Sequence, residues 1–249
     1  MRKLLLLFIF SFTMLMQAQE TSDSGNGKNI VKVNVTGFIF KNFQGTYERV
    51  LSKRISVNVG YGVVPEGNLP YTSFLPDDTD RDFKNIRLSG NNFTIEPRFY
   101  LGKKGFGEGF YVAPYYRYSS YQISNYSRSI DVSVNGIVYD TVIVDFTGDT
   151  SAHSGGVLLG AQWFLGKSDN FVLDAWFLGA HFGKAKGNLD GITNRKLNAL
   201  EQQEVQKELD NQDIPIVEYN ATVNENGANI KVDGPWAGLR IGLSLGYRF

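Results

Sequence analysis

From Ile30 onward, much of this chain consists of stretches in which apolar and polar residues alternate one by one. A period of two is the repeat of a β-strand, whose successive side chains leave opposite faces, and a helix cannot keep such a pattern amphipathic. The closing stretch, LRIGLSLGYRF, sets Leu239, Ile241, Leu243, Leu245, Tyr247 and Phe249 on one face and Arg240, Gly242, Ser244, Gly246 and Arg248 on the other. In RISVNVGYGVV, Ile55, Val57, Val59, Tyr61 and Val63 oppose Ser56, Asn58, Gly60 and Gly62. A chain made of such pieces is all-β.

Six further segments follow the rule: IVKVNVTGFIF (30–40), FQGTYERVL (43–51), NNFTIEPRFYLG (91–102), FYVAPYYRYSSYQI (110–123), SAHSGGVLLGAQWFLG (151–166) and NFVLDAWFLGAHFG (170–183). The last is ambiguous in its facing, because Trp176, Leu178 and Phe182 share parity with Asp174. The segments are close to the ~9–11 residues with which a tilted strand crosses a bilayer. Connections after the second, fourth and sixth are short, and those after the third, fifth and seventh (65–88, 123–150, 184–233) are long. The second long connection carries Asn135-Gly136 between two β-rich runs, a hairpin signal, and the third carries KLNALEQQEVQKEL, of helix-forming composition with a weak apolar stripe.

The start, MRKLLLLFIFSFTMLMQAQE, has a basic head and an apolar run from Leu4 to Met16. That run is shorter than the ~20 residues a spanning helix needs, so residues 1–19 are expected to be a signal peptide cleaved near Ala18 or Gln19. Residues 20–249 then form one exported domain. The absence of cysteine removes disulfides, thiolate metal sites and cysteine nucleophiles. Without Arg2 and Lys3 the chain holds 23 basic and 25 acidic residues, too balanced for a partner bound through nucleic-acid phosphates. Exported β-segments with short turns at one end and long connections at the other match the transmembrane barrel pattern, in which the sheet closes on itself and lipid replaces the core. The expected fold is an all-β, eight-stranded, antiparallel up-and-down transmembrane barrel with long extracellular loops, one containing a short helix.

The exported start, the eight alternating segments and the terminal GLSLGYRF resemble the small OmpA/OmpX-type outer-membrane barrels, and more closely uncharacterised outer-membrane barrel families of the same design in Gram-negative bacteria. The resemblance spans roughly residues 30–249 in architecture, and its sharp motif is the last strand. It implies that Leu243, Leu245, Tyr247 and Phe249 form a C-terminal signal read by the barrel-assembly machinery. It also implies residence in the bacterial outer membrane, among lipid and lipopolysaccharide.

Glu48, Glu96, Arg98, Arg117, Asp174 and Arg240 fall on the inward parity of five strands. Opposite charges inside a narrow barrel are expected to pair into a structural network that fills the lumen. His153 and Ser154 are neighbours on one strand and point to opposite faces, so they cannot act as base and nucleophile there. His153 with His181 lacks a third metal ligand, and Asp78, Asp80 and Asp82 have calcium-loop spacing without the glycine and glutamate that complete such a loop. Tyr115, Tyr116, Tyr118, Tyr121, Trp163, Trp176 and Trp236 are read mostly as aromatic girdles. Pro97 and Pro114 lie mid-strand, and local bulges are expected there. No cofactor, metal or catalytic residue is assigned, and the chain is not expected to be an enzyme. The leading functional reading is a structural and surface-interaction protein whose outward loops 65–88, 123–150 and 184–233 meet an extracellular partner. A small pore or solute channel, a lipid A-modifying enzyme and a soluble lipocalin-like barrel stay open beside it.

Overall fold

The computed structural model describes residues 27–68, 86–134, 137–210 and 218–249. Strands β1 (Asn29–Asn34), β2 (Phe43–Val50), β3 (Ile55–Asn68), β4 (Arg87–Tyr100), β5 (Gly109–Val134), β6 (Ile137–Leu165) and β7 (Phe171–Thr193) are followed by helix α1 (Ala199–Asp210), β8 (Glu218–Asn224) and β9 (Gly227–Arg248). All neighbours are antiparallel, and β1 pairs with β9 from Ile30↔Arg248 to Asn34↔Ser244, which closes a ring of eight. The ninth strand, β8, lies outside the ring as an extra partner of β9. The fold is an eight-stranded transmembrane β-barrel.

Which parity faces outward decides between a membrane barrel and a soluble one, and here it is the apolar one. Leu239 and Ile241 are 75% and 71% exposed on β9, and Phe43, Tyr61, Phe110, Val157 and Phe171 are likewise exposed on five other strands. Their alternate neighbours Thr46, Asn58, Thr94, Gln162 and Ser244 are buried inside. A soluble barrel would hold the opposite arrangement, so the lipocalin-like reading is corrected: such a belt is stable only against hydrocarbon.

The first strand is shorter than its sequence suggests. It stops at Asn34, whose side-chain oxygen accepts hydrogen bonds from the Thr36 hydroxyl (2.7 Å) and the Gly37 N–H (3.0 Å). This local capture turns Thr36–Phe40 into a 3-10 turn closed by Lys41 at φ 53°. Strand β7 contains a bulge: Leu159 faces Leu178 and Gly160 faces Trp176, so Phe177 is an extra residue on the β6 side. Phe177 and Leu178 both point out, 50% and 52% exposed. Above them Gly179 is buried, so the inward parity switches from even to odd positions. That switch is the reason the segment has no single period in sequence.

At the two prolines the expected bulges are absent. Ile95 faces Tyr116 and Phe99 faces Val112, so the β4–β5 register is the same on both sides and sets Pro97 opposite Pro114. The ladder lapses only there, while Val57↔Pro97 and Pro114↔Val157 hold on the outer sides. Facing prolines confine both missing donors to one gap, so neither strand has to shift.

Among the described residues, the second and third long connections are mostly strand. β5 and β6 run 26 and 29 residues, well over twice the ~9–11 a bilayer needs, and Val134 pairs with Ile137 across the hairpin tip. The last β4 pairing is Arg87↔Ser124; immediately beyond, the β5–β6 register shifts at Asn125, held at φ 59°. There β5 leaves the ring, and β5-β6-β7-β9-β8 continue as a curled sheet. Helix α1 packs against both β5 and β8, the edges of that sheet. Ile130, Val132, Val142, Val144, Phe146, Leu197 and Ala228 form a buried apolar cluster with Val205 and Leu209 of the helix. The helix is set by a capping box: the Asn198 side chain accepts from the Leu200 and Glu201 N–H groups, and Glu201 accepts from the Asn198 N–H at 2.8 Å. Gln206 hydrogen-bonds the Ala221 carbonyl and the Val223 N–H, both at 3.0 Å, and so covers the free edge of β8.

Candidate functional site

Inward-facing residues stack in layers from the short-turn end of the barrel to the cap. Ile30, Val50 and Val172 form an apolar floor with Phe164, over which the Arg248 guanidinium lies at 4.3 Å. The next layer is ionic. Lys32 Nζ donates to Glu48 Oε2 (2.5 Å), Asp174 Oδ2 (2.7 Å) and Gln162 Oε1 (2.7 Å). Arg98 NH1 donates to the same two carboxylate oxygens at 3.1 Å and 2.8 Å, and its NH2 reaches Glu96 at 3.1 Å. The remaining oxygens are also taken: Glu48 Oε1 accepts from Ser56 (2.6 Å) and Tyr100 (2.7 Å), and Asp174 Oδ1 from Tyr111 (2.7 Å). Asn58 donates to Glu96 Oε2 at 3.1 Å. None of Glu48, Arg98 and Asp174 has any exposed surface. Three strands supply the carboxylates and two the cations, so the knot locks distant parts of the ring together.

Above it Arg240 reaches from β9 to Glu96 Oε1 at 2.8 Å, with its guanidinium over the Tyr115 ring at 4.6 Å and the Trp176 ring at 4.8 Å. Five of the six charges expected in the lumen, namely Glu48, Glu96, Arg98, Asp174 and Arg240, are thus connected. Arg117 faces inward but stands apart, its Nε on the Ser119 hydroxyl at 3.2 Å, with no ion pair among the described residues. Lys32, which binds both carboxylates at the centre, is not among the six charges expected in the lumen. Its position on the polar face of IVKVNV was a usable signal. Gln162, Tyr100 and Tyr111 likewise fall on inward parity in the sequence, Tyr100 with Glu96 and Arg98 and Tyr111 with Tyr115 and Arg117.

The aromatic residues divide. Tyr115 and Trp176 are buried in the lumen and not in a girdle. Tyr116 is exposed on the outer face, its hydroxyl hydrogen-bonded to His153 Nδ1 at 2.6 Å. His181 lies inside, 3.0 Å from the Tyr115 hydroxyl, so the two histidines occupy opposite faces of the sheet and cannot share an ion. Asp78, Asp80 and Asp82, the signal segment 1–19 and Asn135-Gly136 lie outside the described residues.

The inner face of β9 is glycine-rich because large side chains cross there. A Cβ on Gly246 would lie 2.5 Å from Lys32 Cγ, one on Gly242 3.1 Å from the Trp176 ring, and one on Gly238 2.8 Å from the His181 ring. On the outer face of the same strand Leu245, Tyr247 and Phe249 are exposed and Leu243 is half-buried. The terminal residue is held in the sheet, with Phe249 N–H donating to the Asn29 carbonyl at 2.9 Å and Asn29 N–H to the Phe249 carbonyl at 3.0 Å.

No family model matches the sequence, and no curated protein matches it. Among solved structures the chain is similar to CarO of Acinetobacter baumannii, at 13% identity and TM-score 0.36, over 92% of this chain and 100% of that one. It is also similar to the outer membrane protease OmpT from Escherichia coli, at 10% identity and TM-score 0.30, over 90% of this chain and 94% of that one. The second finding corrects the expectation that the chain is not an enzyme, since the protein found there is named a protease. At these scores neither likeness assigns a reaction to this chain.

Proposed function

We propose that this protein is an outer-membrane barrel of the small OmpA/OmpX design, delivered by a cleaved signal peptide, that holds a folded cap at the cell surface for contact with an extracellular partner. The observation that carries this reading is the apolar core of the cap, built where β5, β6, β7 and β9 run on from the ring and closed by α1 and β8. Loops that only joined strands would need no core; burying Val132, Val142, Val144 and Val205 contributes ~1.5–3 kcal/mol each and gives the partner a fixed surface. On this reading Leu243, Leu245, Tyr247 and Phe249 face the assembly machinery during insertion and lipid afterwards. The ionic knot over an apolar floor supports a sealed lumen rather than a pore.

The test combines two measurements on the full chain. Epitopes placed at Val138 and at Asn224 should be labelled on intact cells, and the protein should stay in the detergent-extracted envelope fraction. In planar bilayers the purified barrel should give no discrete conductance, whereas Lys32→Ala with Arg98→Ala should open one. Regular conductance steps from the unaltered protein would overturn the sealed lumen, and epitopes reached only after permeabilisation would overturn the surface cap.

A further inference from the structure

Among the described residues, the charges buried in the lumen between floor and cap do not balance. Lys32, Arg98, Arg117 and Arg240 face Glu48, Glu96 and Asp174. The three carboxylates are all engaged by Lys32, Arg98 and Arg240, and the surplus is Arg117. Arg240 comes close to Arg117 on the lumen face: its guanidinium lies over the ring of Tyr115 at 4.6 Å, and Tyr115 and Arg117 are inward-facing neighbours two residues apart on β5. A guanidinium withdrawn from water beside another cation is strongly unfavourable without a counter-charge.

The residues around these two cations also lack partners. Arg117 pairs across the sheet with Thr94, and Ser119, which takes its Nε, pairs with Asn92. Arg240 comes to the same strand, β4, at Glu96. Thr94 Oγ1, both Asn92 amide atoms and Arg240 NH1 are buried without a hydrogen-bond partner among the described residues, and Asn92 and Thr94 are 0% and 1% exposed. Native interiors seldom leave several donors unmatched in one place. These donors, from β4 and β9, join a counter-ion-free cation on β5. Their shared need is an acceptor, and the unpaired charge of Arg117 calls for one that is negative. Gly60 and Gly62 line the neighbouring strand and keep the volume small, since a Cβ on Gly62 would lie 2.6 Å from the Asn92 amide. Arg117 and Arg240 keep 9% and 7% exposure whereas no residue of the knot below exceeds 2%, so solvent reaches this level of the lumen more than the knot.

We propose that the lumen above the ionic knot binds a small anion, a halide or a carboxylate group, between Arg117 and Arg240, with the Thr94 hydroxyl and the Asn92 amide as further donors. The anion supplies the missing charge and the missing acceptor together. This inference does not depend on the surface role: the site exists whether or not the cap has a partner.

Bromide is the probe. Crystals of the detergent-extracted full chain soaked in sodium bromide should show an anomalous peak within hydrogen-bond distance of both guanidinium groups, and the chloride-35 NMR line of the protein in solution should be broadened well beyond that of a detergent blank. Both signals should vanish in Arg117→Met, with heat-modifiable migration on gels reporting that the variant is folded; should it not fold, Arg117→Lys keeps a cation and should retain the broadening. Sodium acetate in excess decides the source: loss of the bromide peak assigns carboxylate, and its persistence assigns the halide. A water molecule without anomalous signal at this position, or a bromide peak unchanged in folded Arg117→Met, would overturn the proposal.

Discussion

At the scale of single residues, the lumen illustrates how a charge buried beside lipid is made tolerable. Lys32 touches Glu48, Asp174 and Gln162 at once, and Arg98 touches the first two again. Lys32→Met would leave two buried carboxylates with Arg98 as their shared cation. The expected loss is about 3–5 kcal/mol, read as a fall in the urea midpoint of the heat-modifiable band. Replacing Lys32 and Asp174 together by Met and Leu should cost less than Lys32→Met alone, because each carboxylate left in the knot then keeps a cation of its own. In the cap, the Arg195 guanidinium, bonded to Glu201 at 2.8 Å and 3.0 Å, holds that carboxyl below the usual carboxylate range, and the Asn198 N–H adds to the effect. A carboxyl whose pKa falls on folding stabilises above its unfolded value, here 4.5, and loses that contribution as pH drops through the lower folded value. Helix α1 of the unaltered protein should therefore exchange its amides more slowly than Glu201→Gln at pH 7, with the difference disappearing well below pH 4.5 once intrinsic rates are corrected. Five of the six lumen charges that join the network were visible from parity alone, since an inward position is a matter of counting along a strand. Lys32 was visible by the same count. That Arg117 has no carboxylate opposite it depended on register between strands, which counting within one strand cannot supply.

At the scale of elements, β7 is the informative case. Phe177 and Leu178 together occupy one outward place opposite Ile241, between the pairs Trp176↔Gly242 and Gly179↔Arg240. Deleting Phe177 would leave a regular strand with Asp174, Trp176 and Gly179 still facing in, so the barrel should fold and shift on heating as before. Deleting Ala175 instead would turn either Asp174 or Trp176 toward lipid, and folded protein should be lost. Nearly equal yields of the two deletions would refute the bulge. The facing prolines are not legible in sequence, because each taken within its own strand implies a bulge and the gap they share exists only once β4 and β5 are aligned. Helix α1 had readable composition, and its capping box, Asn198 with Glu201, lies in the sequence as well. Asn198→Ala should cost about 1 kcal/mol of cap stability, measurable as faster trypsin cleavage within 199–210 and no change in barrel melting.

At the scale of the molecule, two cores of opposite kind share the same strands. The ring is polar inside and apolar outside, while the cap packs Val142, Val144 and Phe146 inward beneath a helix. On β6 the inward side remains the even positions throughout, from Gln162 through Ser154 to Val142, so only the chemistry of that face changes with height. Removing residues 195–225 should leave the ring intact and heat-modifiable, because its charges and pairings lie below. It should also bare the apolar floor of the cap, so the truncated protein should form higher oligomers in light-scattering measurements and become cleavable between 125 and 147. A truncated protein that failed to close its ring would show that the cap is part of the barrel's own stability.

Alternation along each strand is a local property, and it alone was enough to determine the class of fold, the number of strands crossing the membrane and the face each of them turns to lipid, apart from β7. Hydrocarbon on one side and a narrow interior on the other leave few other uses for such a pattern. What joins what was decided in three dimensions: Lys32 at the heart of the knot, Arg117 outside it, prolines sharing one gap, and connections extended into a cap with its own core. Each of these follows from register between strands distant in sequence, and register is the quantity that a pattern read one strand at a time does not contain.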